Sequence, residues 1–186
     1  MSQTVTYTID PAHSSAGFKV RHLMVSNVRG EFSGLSGTAV FDPANPVNST
    51  IEVDIPVMSL TTRDEQRDAH LKSADFFDVE KFPMMRFVSR KVAPAGDGEW
   101  KVTGDLTIHG VTKEVTLNVE GPSPEVRDPW GNIKRGITAD TKINRKDFGL
   151  VWNVGLETGG VLVGDDVHIQ IEAELARQTA TQASAV

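Results

Sequence analysis

The side chains best suited to chemistry in this chain are its five histidines, which could bind a metal ion or transfer a proton. They are spread along the sequence, at His13, His22, His70, His109 and His168. None falls in a metal-ligand spacing such as H-x-x-x-H, and the chain contains no cysteine. The sequence therefore predicts no metal site and no cofactor, with the histidines acting as separate surface or capping residues.

His13 and His22 have the most interesting positions, because they bracket one predicted strand. Asp10, His13 and Ser14 are residue types found in catalytic triads. A triad is defined by its geometry, however, and close neighbours in sequence cannot supply it. Asp-Pro followed by His-Ser is more typical of a turn that begins a strand. A hydrolase or isomerase that acts on an amphiphile through His13 or His22 is kept as an alternative function.

Two acidic pairs could suggest acid–base catalysis or calcium binding. Asp64 and Glu65 stand where a helix is predicted to begin, so the helix dipole explains them. Asp165 and Asp166 follow Gly164 and indicate a turn. Since no EF-hand spacing and no phosphate-binding loop accompany these pairs, they predict neither calcium binding nor nucleotide binding.

Composition restricts the class of protein. The 186 residues are 39 % hydrophobic and 24 % charged, which suits one soluble domain with a sizeable core. The net charge of −6 argues against nucleic acid as a partner and against adsorption to anionic headgroups. The first residues lack the pattern of a signal peptide, and no apolar run is long enough to span a bilayer. We therefore expect a cytoplasmic protein without stable membrane insertion, and a homodimer is compatible with the base rate for soluble proteins.

The dominant pattern is period-two alternation, which indicates antiparallel strands with one apolar face. In residues 167–175, for example, Val167, Ile169 and Ile171 alternate with polar residues. His109-Gly110 is predicted to form a tight turn between two strands. The expected strands lie near residues 4–9, 14–22, 29–41, 49–59, 84–92, 99–109, 111–121, 133–144 and 165–175.

One segment departs from this period. Residues 62–72 favour a short helix, and Thr62 with Glu65 forms a capping-box signature. The apolar stripe of this helix is poor, so we expect it to lie exposed on the outside of the sheet. Residues 178–186 are small and polar and predict a disordered tail, which leaves residues 1–177 as a single domain.

Alternation alone cannot distinguish a sandwich from a closed barrel, or a filled barrel from a hollow one. Phenylalanine and methionine residues are abundant near the predicted strand ends and beside the helix. They are compatible with a filled core, and methionine also adapts well to flexible apolar ligands. A filled barrel that binds another protein through its surface is therefore a further alternative.

Several long stretches resemble the YceI-like family of bacterial polyisoprenoid-binding proteins. They occur in the same order over almost the whole chain, and the third and fourth are long and specific. The stretches are residues 7–14 with 18–23, residues 30–32 with 37–38, residues 70–83, and residues 104–113 with 144–149. In one-letter code, the third reads HLKSADFFDVEKFP and the fourth begins GDLTIHGVTK.

The resemblance implies an all-β fold, an extended eight-stranded antiparallel lipocalin-like barrel with the helix beside it. It also implies non-catalytic binding, storage or transport of a long-chain apolar lipid, such as a polyisoprenoid or an isoprenoid quinone, in a hydrophobic tunnel. The candidate lining residues are Phe18, Val20, Leu23, Met24, Phe32, Met58, Leu71, Phe76, Phe82, Met85, Phe87, Phe148 and Trp152. Arg145, Asp147 and Asn153 are candidates for polar contacts at the mouth, the alternative being a salt-bridged turn that holds Phe148 and Trp152.

Overall fold

The fold is a closed antiparallel β-barrel, seen in a computed structural model that describes residues 3–179. The strands are β1 (Val5–Ile9), β2 (Ser15–His22), β3 (Ser26–Phe32), β4 (Ser36–Phe41), β5 (Thr50–Pro56), β6 (Met84–Gly96), β7 (Glu99–Ile108), β8 (Val111–Glu120), β9 (Val126–Arg127), β10 (Ile133–Asn144) and β11 (Val163–Arg177). The helix α1 spans Glu65–Lys72 and packs outside the barrel. The predicted fold class is thereby confirmed.

Eight strands close the ring in the order β11, β1, β4, β5, β6, β7, β8 and β10, and pairing of β10 with β11 completes it. The barrel is extended at one end because β11 is long enough to pair with two strands along the edge opposite β10. Its last residues pair with β1, and its first part pairs with β2. The β2–β3 hairpin therefore projects beyond the ring, and we call this the hairpin end of the barrel.

Alternation along the strands places apolar side chains inside and polar side chains in water, as the sequence predicts. The turn between β7 and β8 has positive φ at both His109 and Gly110, the geometry that matches the twist of a two-residue hairpin. At Gly104 the neighbouring strand comes so close that a Cβ atom would lie 2.4 Å from the carbonyl oxygen of Val88.

Some predicted boundaries are wrong. The single strand expected over residues 29–41 is two strands, because the chain turns at Gly34, where φ is +67°. Strand β5 ends at Pro56, and residues 57–59 form a 3₁₀ turn instead of continuing the strand. Strand β6 runs on to Gly96, and the short strand β9 was not predicted.

The helix begins later than the sequence predicts. Its N-cap is Asp64, whose side chain accepts a hydrogen bond from the backbone N–H of Arg67 at 3.0 Å. The capping box built on Thr62 is therefore wrong: both the N–H and the hydroxyl of Thr62 donate to Asp68 instead. Of the tail predicted for residues 178–186, residues 180–186 lie outside the described part of the chain, and Gln178 still donates to the Thr6 carbonyl at 2.9 Å.

Candidate functional site

The barrel encloses a long apolar cavity of about 280 Å³. One water needs only about 10–15 Å³ of such space, so this volume is far larger than a packing defect. Many inward-facing side chains, such as Ile169 and Ile171, are only half-buried although they point into the barrel. Their exposure is to the cavity itself, which means that the barrel is hollow.

Seven predicted lining residues face this cavity: Phe18, Val20, Phe32, Leu71, Phe76, Met85 and Phe87. They come from β2, β3, α1 and its following loop, and β6. Phe18 and Phe32 are in ring contact at 5.6 Å, and Phe32 also meets Phe77 edge-on. This aromatic group joins the barrel wall to the segment after α1, which covers one side of the cavity.

The other predicted lining residues lie elsewhere. Leu23, Met24 and Met58 are exposed at the surface, whereas Phe148 is buried in the packed core. Phe82 packs on the ring of His109 at 4.8 Å, and Trp152 packs on His70 and Phe76. None of these six residues lines the hollow.

Sequence reasoning missed most of the wall contributed by the second half of the chain. The alternation of β11 and β10 already placed these residues on one face and could have identified them. The missed lining residues include Ile137, Ile143, Val167, Ile169 and Ile171, together with Tyr7, Ile51, Val53, Trp100 and Val102.

Arg145 borders the cavity, but its guanidinium donates its hydrogen bonds to backbone carbonyls. It is 4 % exposed and donates to the carbonyls of Leu150 and Trp152 through Nη1, Gly164 through Nε and Val163 through Nη2. Burial lowers the pKa of Arg145, and Asp165 at 3.6 Å opposes that shift. An arginine in this arrangement stays charged and holds the loop of residues 150–162 against the start of β11.

The other two mouth candidates have different surroundings. Asn153 fastens the start of β11, since its amide donates to the Val163 carbonyl at 2.7 Å and its oxygen accepts from the Val163 N–H at 3.0 Å. Asp147 is exposed and does not line the cavity. These contacts fit a structural turn around Phe148 and Trp152 more directly than a headgroup site.

His13 and His22 also lie away from the cavity lining. His13 is on the outside, where its Nδ1 is 3.1 Å from Asp10 Oδ2 and 3.8 Å from Glu174 Oε1. These three residues bring potential metal ligands within 4.8 Å of one another. The ammonium of Lys134, however, is 2.7 Å from both carboxylates, so a cation of the protein already occupies their centre.

The cluster of Lys134, Asp10 and Glu174 should contribute to the stability of the fold in a pH-dependent way. The hydrogen bond from Lys134 holds the pKa of Asp10 well below its usual range, and the two carboxylates raise the pKa of Lys134 to about 12. Replacing Lys134 with methionine should cost about 1 kcal/mol at pH 7, because the pair is only partly buried.

The sign of the pH effect follows from the lowered pKa of Asp10. The contribution of Asp10 to the free energy of unfolding is complete above the pKa of about 4 that its carboxyl has in the unfolded chain. This contribution disappears as the pH falls through the lower pKa of Asp10 in the folded protein. Urea unfolding of the wild type and Lys134→Met at pH 7, 4 and 2 should show a difference that shrinks between pH 4 and 2. A difference independent of pH would mean that the lysine acts through packing.

The comparisons with known proteins agree with this geometry. The family model described as the YceI-like domain matches residues 7–175. The chain belongs to the YceI-like family. This YceI-like protein is 41 % identical over 172 residues to a UPF0312 protein of Staphylococcus aureus, covering 91 % of this chain and 96 % of the relative. The described residues contain no helix that is long and apolar enough to cross a membrane.

Solved structures show the same fold. The YCEI protein of Campylobacter jejuni superposes with a TM-score of 0.69 at 33 % identity, covering 86 % of this chain and 90 % of that one. A polyisoprenoid binding domain from Saccharophagus degradans, implicated in plant cell wall breakdown, superposes with a TM-score of 0.68 at 15 % identity. That alignment covers 94 % of this chain and 99 % of the neighbour, and at this identity it is a likeness of fold.

Proposed function

We propose that this YceI-like protein binds a long-chain apolar lipid in its barrel and stores or transports it without catalysing a reaction. The observation that carries the proposal is the hollow of about 280 Å³, whose lining is almost entirely apolar. The structural likeness to a polyisoprenoid binding domain supports the same class of ligand. A polyisoprenoid or an isoprenoid quinone is the ligand that we propose.

The energetics favour a flexible apolar tail. Burying one CH₂ group contributes about 0.8 kcal/mol, so a few isoprene units supply on the order of 10 kcal/mol before ordering costs. The few polar residues along the lining include Arg145, whose donors are already directed at backbone carbonyls. Selectivity for the tail should therefore be broad.

Filling the cavity should abolish binding while leaving the barrel folded. Ala39 on β4 faces the cavity between Tyr7 and Ile51, and its side chain is half-buried because open space lies beside it. In Ala39→Trp the indole should occupy that space, and we expect at least a tenfold loss of affinity for a fluorescent polyprenol.

The matched control is Thr38→Trp, which adds the same ring to the next residue of β4, on the exposed outer face. It should bind like the wild type. Native mass spectrometry of gently purified protein should also show a co-purified amphiphile in the wild type and none in Ala39→Trp. Delipidated wild-type protein with no affinity for polyprenols, quinones or fatty chains would refute the proposed function.

A further inference from the structure

Exposed apolar side chains gather at the hairpin end of the barrel. Leu23, Met24 and Val25 form the turn between β2 and β3 and are 41 %, 53 % and 73 % exposed. Val154 and Val161 in the loop before β11 are exposed as well. We call these five residues the apolar tip.

The two segments of the apolar tip form one surface. The Leu23 N–H donates to the Leu162 carbonyl at 2.9 Å, and the Leu162 N–H donates to the Val154 carbonyl at 2.9 Å. A Cβ atom on Gly160 would lie 3.2 Å from Met24 Cγ. A contiguous exposed apolar surface of this kind is typical of an interaction site.

The backbone conformation of this turn is unfavourable for the two residues Leu23 and Met24. Leu23 and Met24 have φ values of +53° and +62°, in the left-handed region that glycine and asparagine adopt more easily. Their apolar side chains are only about half buried there, so the burial they gain is incomplete. Neither the backbone geometry nor packing within the barrel accounts for large apolar residues at these positions.

A row of basic side chains crosses the outer face of four adjacent strands behind the tip. Arg29 on β3 is directly opposite Lys19 on β2, Lys19 is opposite His168 on β11, and His168 is opposite Lys142 on β10. We call these four residues the basic row. Like charges directly opposite each other across strands are destabilising.

Little in the protein offsets this charge. Within residues 3–179, neither Lys19 nor Arg29 has a carboxylate at ion-pair distance, while Lys142 has Asp166 at 3.4 Å. Arg21, between the row and the tip, donates to the Met24 carbonyl and likewise makes no ion pair with a described residue. The basic row therefore complements an anionic surface, although the chain as a whole carries −6.

We propose that the hairpin end docks on the surface of an anionic lipid bilayer, with the apolar tip inserted and Arg21 and the basic row at the headgroups. The Arg21 guanidinium donates to the Met24 carbonyl at 3.1 Å, so it lies at the base of the inserted side chains. Apolar faces of peripheral proteins sink about 5–10 Å into the headgroup and acyl boundary, so Arg21 would lie at phosphate level.

This inference rests on the proposed function, since it gives the lipid a path from membrane to cavity. Val20 and Val163 are the cavity-lining residues nearest to the tip on β2 and β11. A lipid tail leaving the bilayer at the hairpin end would meet these side chains first. Glu157, Asp165 and Asp166 at this end oppose the docking by their charge, but Asp165 and Asp166 are already paired with Lys146 at 3.1 Å and Lys142 at 3.4 Å.

Co-sedimentation with vesicles tests the docking. The full chain should bind vesicles of 30 % phosphatidylglycerol in phosphatidylcholine at least tenfold more tightly than pure phosphatidylcholine, and added salt should weaken binding. Met24→Glu should lower the affinity for the anionic vesicles at least tenfold. Lys19→Gln and Arg29→Gln should each lower it roughly fivefold, the effect of one basic residue near an anionic surface.

Trp130→Glu is the matched control. Among the described residues Trp130 is the most exposed large apolar one, at 84 %, and it lies beside the start of β10, at the opposite end of the barrel. It should bind vesicles like the wild type. Loss of binding in Trp130→Glu but not in Met24→Glu would overturn the proposal. A wild-type dimer that Met24→Glu dissociates, without vesicle binding by either protein, would assign the apolar tip to a second copy and overturn it too.

Loading from detergent micelles separates this proposal from the proposed function. Met24→Glu should take up a fluorescent polyprenol from micelles like the wild type but acquire it from vesicles at least tenfold more slowly. Ala39→Trp should show the reverse, with vesicle binding retained and loading lost. Equal transfer from vesicles by the wild type and Met24→Glu would refute the docking and leave lipid binding in place.

Discussion

Replacing Arg145 with lysine should destabilise the protein by about 3 kcal/mol or more. The guanidinium reaches the carbonyls of Leu150, Trp152, Gly164 and Val163 from one buried position. A lysine ammonium is a single point with three donors and cannot span these acceptors. Buried carbonyls would lose their partners, and the loop that precedes β11 would lose its anchor.

Urea unfolding monitored by tryptophan fluorescence measures this loss. Lys146→Gln is the matched control, because Lys146 is the next residue and pairs with the same Asp165 at 3.1 Å, but half-exposed at the surface. It should change the free energy of unfolding by less than about 1 kcal/mol. An Arg145→Lys variant as stable as this control would show that the backbone contacts of Arg145 contribute little.

Phe87→Asp should prevent the barrel from forming a stable folded state at pH 7. Phe87 is 5 % exposed, lines the cavity and covers Gly104 on the neighbouring strand. Removing a buried phenylalanine side chain costs about 3–5 kcal/mol, and an unpaired carboxylate in an apolar interior adds to that cost. The total approaches the whole stability of a typical domain, about 5–15 kcal/mol.

Circular dichroism and urea unfolding should show this loss, and it should diminish at low pH. Burial raises the pKa of the introduced carboxyl, so protonation removes its charge while the barrel is folded. Phe87→Leu keeps an apolar side chain and should fold, and Lys91→Asp places the carboxylate on the exposed part of the same strand with little effect. If Phe87→Asp folds and binds a polyprenol normally, Phe87 does not face the cavity.

The local pattern of the chain predicts the strands well, because alternation reports which side chains face water. It identifies the inner face of β11 from Val167, Ile169 and Ile171 alone. It fails at Gly34, where one positive φ divides an apparently continuous strand into β3 and β4. The predicted capping box also fails, because the N–H and hydroxyl of Thr62 donate to the side chain of Asp68. The spacing of Thr62 and Glu65 in the sequence does not reveal these hydrogen bonds.

The site is harder to predict from sequence because closure of a barrel is a long-range property. Phe18 and Phe87 face the same cavity, although 69 residues separate them, and only the ring of strands brings them together. A large apolar residue type also does not show whether the side chain lines the cavity, because Phe148 is buried in the core and Met24 is exposed at the surface. The hollow form and the lipid were expectations from the family resemblance, because alternation is the same in filled and hollow barrels.

The hollow interior has a consequence for how the empty protein responds to hydrostatic pressure. Unfolding eliminates internal voids, and the volume decrease on unfolding scales with the void volume. Apolar cavities tend to remain dry, so an empty cavity of about 280 Å³ should make the unliganded barrel easier to unfold under pressure. A lipid tail that fills the cavity would leave less void volume to eliminate on unfolding. The lipid-bound protein should therefore resist pressure better than the empty protein.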